Sequence, residues 1–253
     1  MKKDTALGLS AIIVVLGGIF LYAAFKPAPA KAPTEALAPS LSGIHYAEQG
    51  NGYDINAFYA SSTPLQARVG VAADAEAVAL MKKFVGDTIA QFKADASAAT
   101  DEPKRENGNG NKQTLTIAYL MASSVQTYSY LFTIYTDASE ARGTTAFRTF
   151  TFDTRSGKLV TLADAFESGV DYLALLSQIS RAKLPEIIGK DTVPSLLQSG
   201  TTPTEEHFSN FFFDNQDFVV LFPQGQVAPG IVGPQTLRIK LSELGAKLRP
   251  AYR

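Results

Sequence analysis

Residues 207–244, HFSNFFFDNQDFVVLFPQGQVAPGIVGPQTLRIKLSEL, contain two runs of aromatic and β-branched residues that flank a short polar segment. The runs are residues 208–213 and 218–222, and the polar segment between them, 214–217, has the sequence DNQD. Asp and Asn side chains hydrogen-bond to their own backbone and tolerate tight turns. The pattern therefore predicts a β-hairpin with a loop of about four residues.

The phenylalanines of this hairpin are too dense for one face of a strand. Because successive side chains of a strand point to opposite faces, Phe212 must lie on the face opposite to Phe211 and Phe213. We expect one set to enter the core and the other to pack under helices. The alternative is that the second set is exposed as a binding patch.

A loop rich in proline and glycine follows the hairpin, over residues 223–235. Proline fixes the backbone angle φ and glycine permits positive φ, so this composition predicts an ordered loop. Loops on rigid scaffolds often carry recognition, and glutamine amides can hydrogen-bond a sugar or a protein backbone. The predicted binding residues of this loop are Gln224, Gln226, Val227, Pro229 and Gln235. The alternative is that the proline and glycine pattern serves only to form the turn.

The order of residues in this loop also resembles a known signature. Phe222-Pro223, Gln226-Val227-Ala228-Pro229-Gly230 and Gly233-Pro234 are similar to the motif of a bacterial extracytoplasmic domain of unknown function. This PdaC/RsiV-like domain forms the C-terminal half of the lysozyme-sensing anti-sigma-V factor RsiV and accompanies the peptidoglycan deacetylase PdaC. The run 162–166, LADAF, resembles a second motif of the family. The resemblance implies an envelope location and a partner such as a lysozyme-like protein or peptidoglycan.

The first residues predict a membrane attachment. Residues 6–25 are about twenty uncharged and mostly apolar positions, which as a helix span roughly 30 Å, the hydrocarbon thickness of a bilayer. Lys2 and Lys3 precede them, so the positive-inside rule predicts a short cytoplasmic tail, 1–5, and a C-terminal domain on the outer side of the cytoplasmic membrane. The alternative is a cleaved signal peptide and secretion to the periplasm. Residues 26–44, rich in Pro and Ala, are predicted to form an extended linker.

Beyond the linker, the sequence predicts an α+β fold in which an antiparallel sheet packs against helices in two closely packed halves, 45–150 and 151–253. Residues 73–98 are predicted as a helix, since Val78, Met81, Val85, Ile89 and Phe92 recur at helical spacing. The predicted strands are 53–59, 115–121, 125–135, 147–152, 158–162 and 236–241. The other predicted helices are 170–184, ended by Pro185, then 191–198 and 242–248.

The residue inventory argues against the common catalytic and nucleic-acid-binding classes. The net charge is −1, whereas nucleic-acid binding needs a strongly basic face. Cysteine is absent, and the sequence has no H-E-x-x-H, G-x-S-x-G or Walker A motif. We therefore predict no catalytic residue, no metal and no cofactor. An acidic pair, as in glycosidases, is the weaker alternative, with these carboxylates considered: Asp153, Asp164, Glu205, Glu206, Asp214 and Asp217.

Two further residues complete the predicted binding set. His207 could act as a ligand or a pH switch, although such a histidine usually has one ring nitrogen satisfied within the protein. Arg142 stands where the resembled family has a histidine. The sequence thus predicts a membrane-anchored, non-catalytic binding module of the cell envelope. The alternatives are an envelope hydrolase that uses acidic residues and a structural protein similar to lysozyme inhibitors.

Overall fold

The computed structural model describes residues 43–50, 52–100, 112–138 and 143–253, without the side chains of residues 99 and 100. All of these residues belong to one unit, Leu37–Arg253. The predicted tail 1–5, the predicted membrane segment 6–25, most of the predicted linker 26–44 and Arg142 lie outside the described residues. Within those ranges, no helix combines the length and apolar character that crossing a bilayer requires.

Strands and helices occur in groups along the chain, and one long helix interrupts the first group of strands. In chain order the elements are β1 (Ile44–Gly50), β2 (Tyr53–Tyr59), α1 (Leu65–Arg68), α2 (Val71–Thr100), β3 (Gln113–Ser123), β4 (Thr127–Asp137), β5 (Thr144–Asp153), α3 (Leu162–Ala165), α4 (Tyr172–Ile188), α5 (Pro194–Gly200), α6 (Glu205–Phe208), β6 (Phe211–Phe213), β7 (Asp217–Phe222), β8 (Gln235–Lys240) and α7 (Leu241–Leu244). These elements confirm the predicted α+β class.

The first five strands form one sheet in the order β1-β2-β3-β4-β5. Every neighbouring pair is antiparallel except β2 and β3, which run parallel with Ala57 opposite Ile117. A parallel pair needs a long crossover, and α2 supplies it. The strand β1, which was not predicted from the sequence, pairs along its whole length with β2, from Ile44 opposite Tyr59 to Gly50 opposite Tyr53.

The long helix α2 covers one face of this sheet with the stripe that the sequence predicted. Met81, Val85, Ile89 and Phe92 are buried, and Val78 packs against the same core. The sheet contributes aromatic and aliphatic side chains to this core: Ile55, Leu115, Ile117, Tyr119, Tyr130, Phe132, Phe150 and Phe152. Burying this apolar stripe is what holds a helix of this length on the sheet.

The predicted hairpin is present as β6 and β7, with Phe213 opposite Phe218. The backbone N–H of Asp214 donates to the carbonyl oxygen of Asp217 at 2.9 Å, which closes the predicted turn. The first strand is shorter than predicted because Glu205–Phe208 forms a helical turn, in which the Thr204 hydroxyl accepts from the backbone N–H of His207. β8 then adds to β7 with Leu237 opposite Val220.

Two predicted elements in the second half differ from the structure. α4 does not end at Pro185 but runs on to Ile188, where Gly189 ends it at a positive φ of 69°. Proline removes one N–H donor without forbidding the next helical bonds, and the N–H of Gly189 donates to the Pro185 carbonyl oxygen. The predicted strand 158–162 is reduced to a single bridge between Phe152 and Leu159, because Thr161 already caps α3.

The β6–β7 ribbon is buried on both faces. One face packs with helices α3 to α7 through Phe211, Phe213, Phe218, Val220 and Phe222. The opposite face presents Phe212, Val219 and Leu221 to Ala122 and Leu131 of the five-stranded sheet. From the sequence, two positions were considered for the second set of side chains: packing under helices, or exposure as a binding patch. The structure shows neither, because this set packs on the five-stranded sheet. It joins the two halves of the fold.

Candidate functional site

The loop that connects β7 to β8, residues 223–234, is attached to the first residues of β5. The backbone N–H of Gln224 donates to the carbonyl oxygen of Thr145, and the N–H of Thr145 donates to the Gln224 side-chain oxygen, both at 3.0 Å. The side-chain amide of Gln224 also donates to the carbonyl oxygen of Gly143 at 3.3 Å. Gln224 therefore provides hydrogen-bond partners for backbone N–H and C=O groups at the edge of the sheet, and it fixes the start of the loop.

The middle of the loop is held by Gln226. Its side-chain amide donates to the carbonyl oxygens of Gly200, at 2.8 Å, and of His207, at 3.1 Å. Val227 beside it is completely buried. A Cβ added to Gly200 would lie 1.9 Å from the Gln226 carbonyl oxygen, so α5 and the loop touch backbone to backbone. The amide of Gln226 is thus used inside the protein.

The far part of the loop exposes one large apolar side chain. Residues Gly230–Val232 form a 3-10 turn, and the side chain of Ile231 is 72% exposed at its centre. Pro229 before the turn is half-buried, whereas Gln235 after it is buried and donates to the carbonyl oxygen of Gly233 at 3.2 Å. Ile231 was not among the predicted binding residues, although its position between two glycines in PGIVGP is a usable signal.

The remaining predicted binding residues lie around the loop rather than within it. His207 is half-buried on α6, where its Nδ1 is 3.0 Å from the carbonyl oxygen of Thr202 and its own carbonyl oxygen receives Gln226. Arg142 is outside the described residues, but the next residue, Gly143, contacts Gln224. The structure therefore brings the backbones of these sequence-distant segments together, while most of their described polar side-chain groups already have partners inside the protein.

A shallow cleft of about 150 Å³ lies elsewhere, between β5 and α6. Its lining consists of Arg148, Thr149, Thr151, Leu159, Val160, Thr161, Leu162, Glu205, Ser209 and Phe211, and includes no residue of the loop. Glu205, one of the acidic residues considered for catalysis, accepts a hydrogen bond from Tyr172, which raises the pKa of the Tyr172 hydroxyl to about 12.

Four other carboxylates of that set occupy structural positions. Asp153 accepts from the backbone N–H of Ser156 at 2.7 Å within a turn, and Asp164 forms a capping box with Thr161 that lowers the pKa of the Asp164 carboxyl. Asp214 lies 2.7 Å from Arg238. Asp217 lies 3.3 Å from the same guanidinium. In the part of the chain that the structure describes, no three His, Cys, Asp or Glu side chains are grouped to hold a metal ion.

The loop and the first described residue, Gly43, are at opposite ends of the five-stranded sheet. A Cβ added to Gly43 would lie 2.6 Å from the carbonyl oxygen of Tyr59, the last residue of β2. β3 runs parallel to β2 and therefore ends on this side, whereas β5 begins at the opposite side. We name these the Gly43 end and the Ile231 end.

Comparison with known proteins gives one family and several relatives. Residues 163–242 match the family described as "Protein of unknown function (DUF3298)". The chain is 28% identical over 172 residues to the "Peptidoglycan-N-acetylmuramic acid deacetylase PdaC" of Bacillus subtilis (strain 168), a match that covers 68% of this chain and 36% of that protein. The chain thus spans about a third of the length of this relative. These matches confirm the resemblance and indicate an extracytoplasmic domain related to the cell envelope.

Two crystal structures share the fold. A DUF3298 family member from Bacteroides fragilis NCTC 9343 has a TM-score of 0.56 at 16% identity and covers 83% of this chain and 93% of its own. A DUF3298 family protein from Pseudomonas aeruginosa PAO1 has a TM-score of 0.50 at 12% identity, with 86% and 98% covered. Both likenesses support the architecture described above.

Proposed function

We propose that this chain, which carries a DUF3298 match and resembles PdaC, is a non-catalytic binding module of the cell envelope, anchored to the cytoplasmic membrane by residues 6–25. Its partner is a lysozyme-like protein, which it contacts through the Ile231 end. The observation that carries this proposal is the apolar side chain of Ile231, which is 72% exposed on a loop that Gln224 and Gln226 fix to the rest of the domain.

The loop is organised before any partner arrives. Gln224 fixes its start on β5 and Gln226 fixes its middle on α5 and α6 through the hydrogen bonds described above. A loop that is already ordered loses little conformational entropy on binding, so more of the contact energy appears as affinity. The glutamines therefore support the binding surface, and Ile231 is the residue that we expect to touch the partner.

The shape of the surface favours a protein partner. Small ligands usually bind in concave pockets, and the cleft beside Glu205 does not include the loop. Ile231 instead stands out from the loop, which suits insertion into a depression on another protein, such as the substrate cleft of a muramidase. Peptidoglycan, the other partner expected from the resemblance, is tested in parallel.

The test compares two exposed side chains at opposite ends of the domain. Ile231→Asp and Val125→Asp replace residues that are 72% and 77% exposed, so neither change should unfold the protein. We expect Ile231→Asp to weaken binding to purified lysozyme by about tenfold or more, as for a central apolar contact, and Val125→Asp to leave it unchanged. Calorimetry with lysozyme and co-sedimentation with murein sacculi provide the measurements.

The outcomes separate the hypotheses. Wild-type protein that binds neither lysozyme nor sacculi would refute the proposal, and equal binding by Ile231→Asp would remove this loop from it. Turnover of a glycan substrate that Glu205→Gln abolishes would support the hydrolase instead. Inhibition of lysozyme activity by the wild-type protein would identify the binding as inhibitory.

A further inference from the structure

Three segments meet at the Gly43 end and form one continuous surface. The backbone N–H of Thr154 donates to the carbonyl oxygen of Gln126 at 2.8 Å, which joins the turn after β5 to the turn between β3 and β4. A Cβ added to Gly157, in the same turn, would lie 2.6 Å from the Cβ of Ala73, which joins it to the start of α2. The Arg68 guanidinium lies 5.6 Å from the centre of the Tyr128 ring.

This surface carries two large apolar side chains that are mostly exposed to solvent. Val125 is 77% exposed and Val71 is 68% exposed. Of the large hydrophobic side chains in the described residues, only Ile231, at the opposite end, is comparably exposed. An apolar pair at one end of a domain suggests a contact outside the domain.

Basic side chains lie in the same joined segments as the two apolar residues. Arg68, Arg155 and Lys158 are all exposed, and they belong to the segments that form this surface. Two nearby carboxylates are engaged in the domain, because Asp153 accepts from the backbone of its own turn and Asp74 accepts from the backbone N–H of Thr63, while Glu76 on α2 is exposed. Apolar residues with cations around them are the combination that binds the interface of a bilayer with anionic headgroups.

The point where the chain enters the domain is at this same end. Gly43 follows the linker, and the linker follows the apolar residues 6–25. At about 3.1 Å per residue, residues 26–42 reach roughly 50 Å when fully extended. Such a tether permits the domain to touch the bilayer but does not force it, so a lasting contact has to come from the surface itself.

We propose that the Gly43 end docks on an anionic lipid bilayer through Val71 and Val125, with Arg68, Arg155 and Lys158 at the headgroups. This inference rests on the membrane attachment in the proposed function. Docking orients the domain so that Ile231, at the opposite end, points away from the membrane and towards partners in the envelope. It also keeps the apolar pair out of water.

The absence of tryptophan from the sequence allows a direct test. Val125→Trp and Ile231→Trp each introduce a single reporter at an exposed position, and the full chain is reconstituted in nanodiscs that contain phosphatidylglycerol. Brominated acyl chains quench tryptophan on contact. We expect brominated lipid to reduce Val125→Trp fluorescence by about twofold or more, as for a side chain at the acyl boundary, and to leave Ile231→Trp unchanged.

Charge reversal provides the second variant. Arg155→Glu combined with Lys158→Glu should lower the quenching of Val125→Trp, because anionic headgroups then repel this end. Co-elution with the discs combined with an unquenched Val125→Trp would overturn the docking alone. Failure to co-elute would overturn both the docking and the proposed attachment, and equal quenching at both ends would overturn the orientation. Lysozyme binding at the Ile231 end is measured separately.

Discussion

The two halves of the domain bury their strands in different ways. In the first half, α2 covers one face of the five-stranded sheet with a stripe of side chains at helical spacing. In the second half, all six residues of β7 are buried, because helices cover one face of the ribbon and the five-stranded sheet covers the other. Alternation of apolar and polar residues therefore marks a strand only when one face of that strand is exposed to water.

The same comparison separates β7 from its neighbour β8. β8 alternates strictly between buried and exposed residues, with Leu237 and Ile239 inside and Arg238 outside. β7 has no such alternation, since Val219 faces the sheet and Val220 faces the helices. The ribbon is therefore the connection between the two halves, and its two faces can be perturbed one at a time.

The largest effect is expected from Phe218→Ala, on the helix face. Phe218 is completely buried, with ring centroids of Phe166, Phe211 and Phe213 at 5.7, 5.3 and 5.4 Å. We expect the free energy of unfolding to fall by about 3–5 kcal/mol, the usual cost of removing a buried phenylalanine. Urea unfolding followed by circular dichroism measures it, with Ile231→Ala as the exposed control. A loss below about 1 kcal/mol would contradict the assignment of Phe218 to the core.

A matched pair of smaller changes distinguishes the two faces. Val219→Ala and Val220→Ala alter neighbouring, fully buried residues, and each should cost about 2 kcal/mol from the lost methyl groups and the cavity left behind. Only Val219→Ala should speed hydrogen exchange at the Thr149 amide, which donates across the two halves to the Asn210 side-chain oxygen at 3.3 Å. Equal exchange in the two variants would mean that the faces are not independent.

The smallest effect is expected at the far edge of the first half. Glu48 on β1 hydrogen-bonds Lys93 of α2, Tyr46 and Tyr53, and these contacts, led by Lys93, lower the pKa of the Glu48 carboxyl to about 2. Because the pKa is lowered by folding, the ionised carboxylate stabilises the domain above about pH 5. That contribution disappears as the pH falls towards 2.

Glu48→Gln measures this contribution directly, because the amide keeps the shape and loses the charge. We expect the wild-type protein to be more stable than the variant at pH 7 and the difference to shrink steadily between pH 5 and pH 2. Urea midpoints at a series of pH values provide the measurement. A difference that does not change with pH would show that the charge of Glu48 does not contribute.

The fold was predictable wherever a local pattern carried it. The stripe from Val78 to Phe92 predicted α2, and the DNQD segment predicted the β6–β7 turn. β1 was missed, because none of its residues is buried and it is held by backbone pairing with β2, which its own sequence does not record. α4 continues past Pro185 because proline removes only one N–H donor, and Ile188 beyond it is buried in the same core as Leu184.

The candidate site was predictable only in part. The proline and glycine pattern predicted an ordered loop, and the structure has one. The sequence could not show that Gln224 and Gln226 direct their amides into the protein, since their acceptors, Gly143, Gly200 and His207, come from other segments. Nor could it show that Ile231 is the side chain left exposed.

By itself, the sequence determined the α+β class, the long helix, the hairpin and the loop, because each depends on the spacing of side chains within one segment. Only the tertiary structure decided what covers the strand face that carries Phe212 and which glutamine amides are used inside the protein. It also decided which apolar side chains remain exposed at the Gly43 end and the Ile231 end. These outcomes depend on contacts between segments far apart in the chain. No local pattern of residues records such contacts.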